Sequence, residues 1–323
     1  MNWDHLDWAA LHRMRSSFLG KPQADYWKSL SDIEAYDMTF GQRIAWKWDA
    51  VLGELHQRGW VAPSRAVLDW GCGSGIAGRR FIESFGPQNF DALSLWDHST
   101  LACEFAKQQA REKFPALDVK REEPPLIPDS SIWLLSHVLN ELTEKNRGEL
   151  FGLLPRATAI IWVEPGTHEI SRDLIAFRDR LLEQFQVVAP CTHQAGCGLM
   201  TEGNQKHWCH HFAQPPSHVF RDRNWQRFGR ELGIDLRSLP YSFLVLERKG
   251  MRRTDAPLGM SRIIGEPRQY KGYCKILSCQ FAGVEELMLQ KRDDPELFRA
   301  IKKHDASAIQ KWKREEGRIL GLV

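Results

Sequence analysis

Asp69, Gly71, Gly73, Gly75 and Asp97 are the residues whose types and spacing suit chemistry. The first four lie in Ala66-Val-Leu-Asp-Trp-Gly-Cys-Gly-Ser-Gly75, and the fifth closes Ala92-Leu-Ser-Leu-Trp-Asp97. Val67 and Leu68 read as the end of a buried strand, and Asp69 is the first polar group after it. Alternating glycines suit a turn that needs positive φ and lets a ligand touch the backbone. Ile76–Phe85 has helical spacing, so the turn would deliver the unpaired N–H groups of a helix N-terminus. Asp97 falls 22 residues after Gly75. An acid at that place can accept hydrogen bonds from both hydroxyls of a ribose.

A second cluster is made of thiols. Cys191, Cys197 and Cys209 follow a C-x5-C-x11-C spacing inside residues 190–214. That stretch has little apolar material, and a thiolate-bound metal would clamp it, with binding energy counted as folding energy. A closed site needs a fourth ligand: Cys274 or Cys279 at a distance, or His193, His207, His210 and His211 nearby. Zinc sites usually carry short C-x2–4-C pairs, which this loop lacks. Four irregularly spaced cysteines also suit an iron–sulfur cluster. Unliganded thiols are the plain alternative. The cysteine total is seven, an odd number that argues against a disulfide framework.

The elements that must position these residues alternate. Strands are expected at 66–70, 92–96, 117–121, 132–138 and 158–163, and helices at 75–85, 99–114, 143–155 and 171–185. Such alternation gives a parallel sheet with helices on both faces, and ligands bind beyond the carboxyl ends of its strands. His137, Asn140 and Glu164 end the fourth and fifth strands and are candidate pocket contacts. Capping by Asn140, and binding of backbone N–H groups by Glu164, are the structural alternatives. Residues 1–62 read as a helical N-terminal cap, with Ile44, Trp48, Val51 and Leu55 on one stripe of a helix over about 40–59. Phe243–Glu247 reads as an antiparallel strand, 251–290 as a small β-rich extension, and 294–317 as a charged helix.

Net charge is +3, but residues 217–275 hold 13 Lys or Arg against 6 Asp or Glu, leaving −4 for the rest of the chain. Such a patch suits a polyanion such as RNA. Arg252, Arg253, Arg262, Arg268 and Lys271 are its candidate phosphate contacts in the extension. The 323 residues, 42% hydrophobic, can bury a sizeable core. No apolar run reaches the ~18–20 residues that span a bilayer. Met1-Asn-Trp-Asp-His-Leu-Asp carries acids early, unlike a secretion signal or an arginine-rich transit peptide. A soluble, cytoplasmic protein of bacterial type is expected, with neither membrane nor DNA as partner.

The string Val67-Leu-Asp-Trp-Gly-Cys-Gly-Ser-Gly75 resembles the first motif of class I S-adenosylmethionine-dependent methyltransferases, a Rossmann-like α/β fold. The Asn/Asp-Pro-Pro-aromatic turn of base amino-group methylation is absent. Cys72 sits in the glycine turn, where packing explains it better than nucleophilic catalysis, so no catalytic residue is assigned.

Wider stretches resemble the mitochondrial small-ribosomal-subunit methyltransferase-like family, which also has bacterial members. Leu68–Gly75, Ser136-His-Val-Leu-Asn-Glu-Leu142, Val163-Glu-Pro-Gly166 with Arg178-Asp-Arg-Leu181, and Trp208-Cys-His210 carry the likeness. Tyr241-Ser-Phe-Leu-Val-Leu246 and Lys271-Gly272 continue it, over about 63–300. The resemblance implies a methyltransferase-like domain over 63–250 with the cysteine insertion at 190–214, and a basic extension over 251–323. It implies S-adenosylmethionine held by Asp69, the three glycines, Asp97, His137 and Asn140. It further implies binding to small-subunit ribosomal RNA or a pre-ribosomal particle during ribosome assembly. Finally it implies a four-iron four-sulfur cluster on Cys191, Cys197, Cys209 and, best placed after the Lys-Gly pair, Cys279. An active ribosomal-RNA methyltransferase with structural zinc is the alternative. A radical methyl transferase fits poorly, because the C-x3-C-x2-C run that leaves one iron open is missing.

Overall fold

The computed structural model describes residues 3–20, 27–123, 129–251 and 259–323. Arg252 and Arg253 lie outside them. Helices α1 (Trp8–Leu19), α2 (Leu30–Met38) and α3 (Phe40–Gln57) come first. Then follow β1 (Ala66–Trp70), α4 (Ile76–Phe85), β2 (Ala92–Trp96), α5 (Thr100–Lys113), β3 (Asp118–Arg121), β4 (Ile132–Ser136), α6 (Glu144–Leu153) and β5 (Ala159–Pro165). After these come α7 (His168–Leu181), β6 (Phe185–Ala189), β7 (His211–Phe212), α8 (Arg223–Leu232) and β8 (Pro240–Arg248). The chain closes with β9 (Ser261–Tyr270), β10 (Tyr273–Gln280), β11 (Gly283–Gln290), α9 (Pro295–Lys302), β12 (Ile309–Gln310), β13 (Trp312–Glu315) and β14 (Arg318–Leu322). Two compact units result: Met1–Glu164 with Ala213–Leu239, and Pro165–Phe212 with Pro240–Val323.

In the first unit, apolar runs such as Ile132-Trp-Leu-Leu are buried on both faces, as a parallel sheet requires. The strand order is β3-β2-β1-β4-β5. Asp69 is in register with Leu95 on one side and Leu134 on the other, so the carboxyl ends of β1, β2 and β4 lie side by side. The helical cap is locally encoded. Asp7 caps α1 through the Ala10 amide, and Ser29 caps α2 through the Asp32 amide. The apolar stripe of α3 is buried at Ile44, Trp48, Val51 and Leu55, as its spacing predicts. Trp48 Nε1 donates to Ser136 Oγ at 2.9 Å and ties that helix to the end of β4. Arg43 donates to the carbonyl oxygen of Ser238 at 3.1 Å, which binds the returning 213–239 segment.

In the second unit β8 pairs antiparallel with both β6 and β7. A six-stranded sheet follows, in the order β12-β9-β10-β11-β14-β13. One face of it packs Ile263, Cys274, Ile276, Leu287 and Leu289 against Leu297, Phe298 and Ile301 of α9.

Three expected boundaries move. The expected helix over 171–185 spans His168–Leu181, and Phe185 opens β6. The fourth strand stops at Ser136 because His137 has φ 58°. The expected helix over 294–317 stops at Lys302, and the strands β12 and β13 take its second half. Asp294 caps α9 with Pro295 behind it, and Leu297, Phe298 and Ile301 provide one apolar turn and a half. Past Lys303 the apolar spacing stops, His304 takes φ 59°, and β13 and β14 bury only Trp312, Ile319 and Gly321.

Candidate functional site

The glycine turn is closed by β2. The amides of Gly71 and Cys72 both donate to the carbonyl oxygen of Trp96, at 2.8 and 2.9 Å. Asp97 Oδ2 accepts the Gly73 amide and Oδ1 the Ser99 amide, each at 2.9 Å. The expected ribose acceptor therefore also braces the turn, and its carboxylate has further lone pairs for a ligand. Two glycines are demanded by packing. A Cβ on Gly71 (φ 69°) would lie 2.6 Å from Val138 Cγ1, and one on Gly75 (φ 76°) 2.7 Å from Ala106 Cβ. Asp69 is fully buried, and its Oδ2 accepts the Gly78 amide at 2.8 Å. Burial pushes its carboxyl up to about 7, against the pull of that amide and of Arg79.

Cap residues that sequence reasoning missed face this turn. The nearest atom to a Cβ on Gly73 is a ring carbon of Trp27, at 4.0 Å. Trp27 packs edge-on against Tyr36, with ring centroids 4.8 Å apart. Burial raises the Tyr36 phenol, and the charges of Glu141, Asp37 and Asp97 raise it further. Arg79 binds Asp37 at 2.5 Å and the carbonyl oxygen of Ser74 at 2.7 Å, joining cap and turn.

At the ends of β4 and β5, Glu164 is fully buried. Its Oε1 accepts the amides of Val138 and Leu139 at 3.0 and 3.1 Å and Trp162 Nε1 at 2.7 Å. The backbone-binding alternative for Glu164 is the observed one. Burial outweighs those bonds and pushes the carboxyl up to about 7. Lys47, from α3, places its Nζ 3.4 Å from His137 Nε2. Burial, aided by Arg43, pulls the Lys47 amine down to about 7. Burial and then Lys47 hold His137 well below the ordinary imidazole range. Asn140 stands apart: it is exposed, and Thr143 caps α6 in its place.

In the second unit, Cys191, Cys197, Cys209 and Cys279 line one cavity of about 30 Å³, with Arg178 and Arg262 in its wall. Cys274 is not among them. Five residues from Cys279 on β10, it takes the opposite face and joins the core of the six-stranded sheet. The Cys209 carbonyl oxygen accepts from Ser171 Oγ and Ser242 Oγ, both at 2.7 Å, which fixes the loop against α7 and β8. His211 Nε2 lies 3.7 Å from Cys209 Sγ, and His193 Nε2 3.8 Å from Cys279 Sγ. Burial pushes the Cys197 thiol up to about 11, and burial followed by the neighbouring sulfurs raises Cys209 and Cys279. Among the described residues, no three His, Cys, Asp or Glu side chains are grouped closely enough to hold one ion.

No curated protein aligns significantly with the chain. The plantazolicin methyltransferase BamL, solved with S-adenosylhomocysteine and a substrate analogue, is 15% identical, with 72% of this chain and 97% of that one covered and a TM-score of 0.40. An rRNA methylase from Escherichia coli is 14% identical, with 56% and 70% covered and a TM-score of 0.36. At these values both are likenesses and no more. The sequence match is the broader one: residues 48–307, from within α3 through both sites to just past α9, fit the family described as mitochondrial small ribosomal subunit Rsm22, and the chain belongs to that family.

Proposed function

We propose that this chain is a methyltransferase-like RNA-binding protein that binds S-adenosylmethionine and acts on or binds small-subunit ribosomal RNA while the subunit is assembled. A four-iron four-sulfur cluster on Cys191, Cys197, Cys209 and Cys279 holds its second unit together. The observation that carries the cluster is the meeting of three cysteines of the 190–214 loop with Cys279 of β10 around one cavity. Structural zinc on the same thiolates is the alternative centre. Arg178 and Arg262 supply positive charge that favours the thiolates.

The methyl-donor reading rests on the glycine turn with Asp97 at its side, and on the strand order β3-β2-β1-β4-β5, which resembles that of class I methyltransferases. The cofactor would bring an activated methyl group. The chain's own part is to present turn amides, the Asp97 carboxylate and the cap residues Trp27 and Tyr36. Catalytic transfer to ribosomal RNA is the second reading, and the approach of buried Lys47 to His137 favours it, because an amine near neutrality can accept a proton.

Anaerobic purification followed by iron, sulfide and zinc analysis tests the centre. Iron and sulfide in equal amounts support it; one zinc, or no metal in a folded protein, overturns it. Titration with S-adenosylmethionine tests the donor site independently, and absence of binding at physiological donor levels removes that part of the reading.

A further inference from the structure

The outer face of the six-stranded sheet carries a second set of groups. Along β10 the side chains alternate: Cys274 and Ile276 enter the core, while Tyr273, Lys275 and Leu277 stay partly exposed. Tyr273 stands opposite Tyr270 of β9 on one side and Gln290 of β11 on the other, and Lys275 stands opposite Arg268 and Met288. The two tyrosines flank the tight Lys271-Gly272 turn. Their rings stack with centroids 4.7 Å apart and planes within 5°, and Tyr270 remains 44% exposed.

The charge around this pair is positive. Glu286 is shared by Lys275, at 2.7 Å, and Arg268, so one carboxylate faces two cations. The Lys291 amide donates to the carbonyl oxygen of Gly272 at 2.9 Å, which brings exposed Lys291 and Arg292 beside exposed Lys271 at the hairpin tip. The nearest acid in that turn, Asp293, is bound by Arg318.

We infer that Tyr270 and Tyr273 form a stacking platform for an unpaired base of RNA, with Lys271, Lys291 and Arg292 receiving the flanking phosphates. This rests on the RNA-binding reading above and deepens it. A cross-strand tyrosine pair that served only the hairpin would gain nothing from a ring of cations. An aromatic face beside a basic rim is what single strands use: the base stacks, the backbone is neutralised, and a duplex is excluded because its base faces are already covered.

The test uses the full-length, metal-loaded chain and fluorescence anisotropy with a mixed-sequence RNA oligonucleotide, alone and annealed to its complement, across a salt series. The single strand should bind more tightly than the duplex. Tyr270→Ala should weaken single-strand binding about 5- to 100-fold, the range for one lost base–aromatic stack, without changing the slope of log affinity against log salt. Tyr270→Trp should retain affinity, which separates stacking from a folding defect. Lys271→Ala with Lys291→Ala should instead shallow the slope by about 0.7 per lysine. Wild-type affinity in both Tyr270→Ala and Tyr273→Ala, or equal binding of the duplex, overturns the platform and leaves the RNA reading standing. No binding of either RNA by the wild-type chain at low salt overturns both.

Discussion

Lys47 Nζ, carried by α3, lies 3.4 Å from Nε2 of His137, which ends β4 with φ 58°. Lys47 is buried and His137 half-buried, and both are held toward their neutral forms. Burial thus draws Lys47 toward its neutral form at the carboxyl end of the sheet, where an α/β fold binds ligands. Between about pH 7 and its ordinary value of 10.5, the unfolded chain binds a proton on Lys47 that the folded chain does not. Stability should rise with pH across that window. Lys47→Met removes the charge at similar length and should flatten the rise, which urea unfolding at several pH values measures. An unchanged pH profile in the variant would show that Lys47 is charged in the folded protein.

Glu164 titrates in the opposite sense. Its folded value is raised from 4.5 to about 7, so the folded chain binds the extra proton between those limits and stability should fall as pH rises through them. Glu164→Gln should remove Glu164's share of that fall, leaving the share of Asp69, which is raised to about 7 as well, while keeping an acceptor for the Val138 and Leu139 amides. The Lys47 and Glu164 windows meet near pH 7 without overlapping, so the difference of each variant from wild type isolates its own group, and what remains below pH 7 in Glu164→Gln belongs to Asp69.

The turn, the strands around it and the α3 stripe were legible because they are local. Glycine spacing, an acid at a strand end and a 3.6-residue period need only neighbours in sequence. Lys47, Trp27 and Tyr36 were not legible, because each acquires its role by reaching a segment tens of residues away. The 213–239 segment hid for the same reason: its return to the first unit rests on contacts such as Arg43 with Ser238. The end of the chain misled by composition. Lys302 does end a helix, but Lys311, Lys313 and Arg314 read as its continuation, whereas the last strands hide little more than Trp312 and Ile319 and leave these cations outside. Which of Cys274 and Cys279 faces the cavity was an alternation question, answerable only once β10 was known to be a strand.

Asp97 braces the turn and, on the proposed reading, also holds the ribose, and one substitution should separate the two. Asp97→Asn keeps an acceptor for the Gly73 or Ser99 amide but loses the charge. A hydrogen bond to a charged group contributes about 1.5–3 kcal/mol, so S-adenosylmethionine affinity should drop about 10- to 150-fold. Calorimetric titration reads the loss, and circular dichroism checks that the turn still folds. Affinity equal to wild type would place the ribose elsewhere.

The cysteines of β10 make opposite predictions. Cys279→Ser should strip iron from the second unit, since it removes a group from the cavity wall. Cys274→Ala should keep full iron and cost stability instead, because it opens space among Ile263, Ile276 and Leu289. Iron content and melting temperature of the two variants decide it. Iron lost from Cys274→Ala and retained in Cys279→Ser would reverse the assignment.

Gly71 meets two demands at once, and they can be taken apart. A Cβ there would lie 2.6 Å from Val138 Cγ1. Its φ of 69° also falls in the left-handed region, which costs a side chain about 1 kcal/mol or more. Gly71→Ala should therefore destabilise by roughly 2–4 kcal/mol, clash and strain together. Adding Val138→Ala removes the clashing methyl but leaves the strain. The double variant should be less damaged than the sum of the single ones, with a coupling of about 0.5–3 kcal/mol, as residues in contact give. Strict additivity in denaturant unfolding would mean that the turn moves away from β4 rather than against it. Because Val138 also donates its amide to Glu164, such a movement should pull the shoulder of the Glu164 pH window with it.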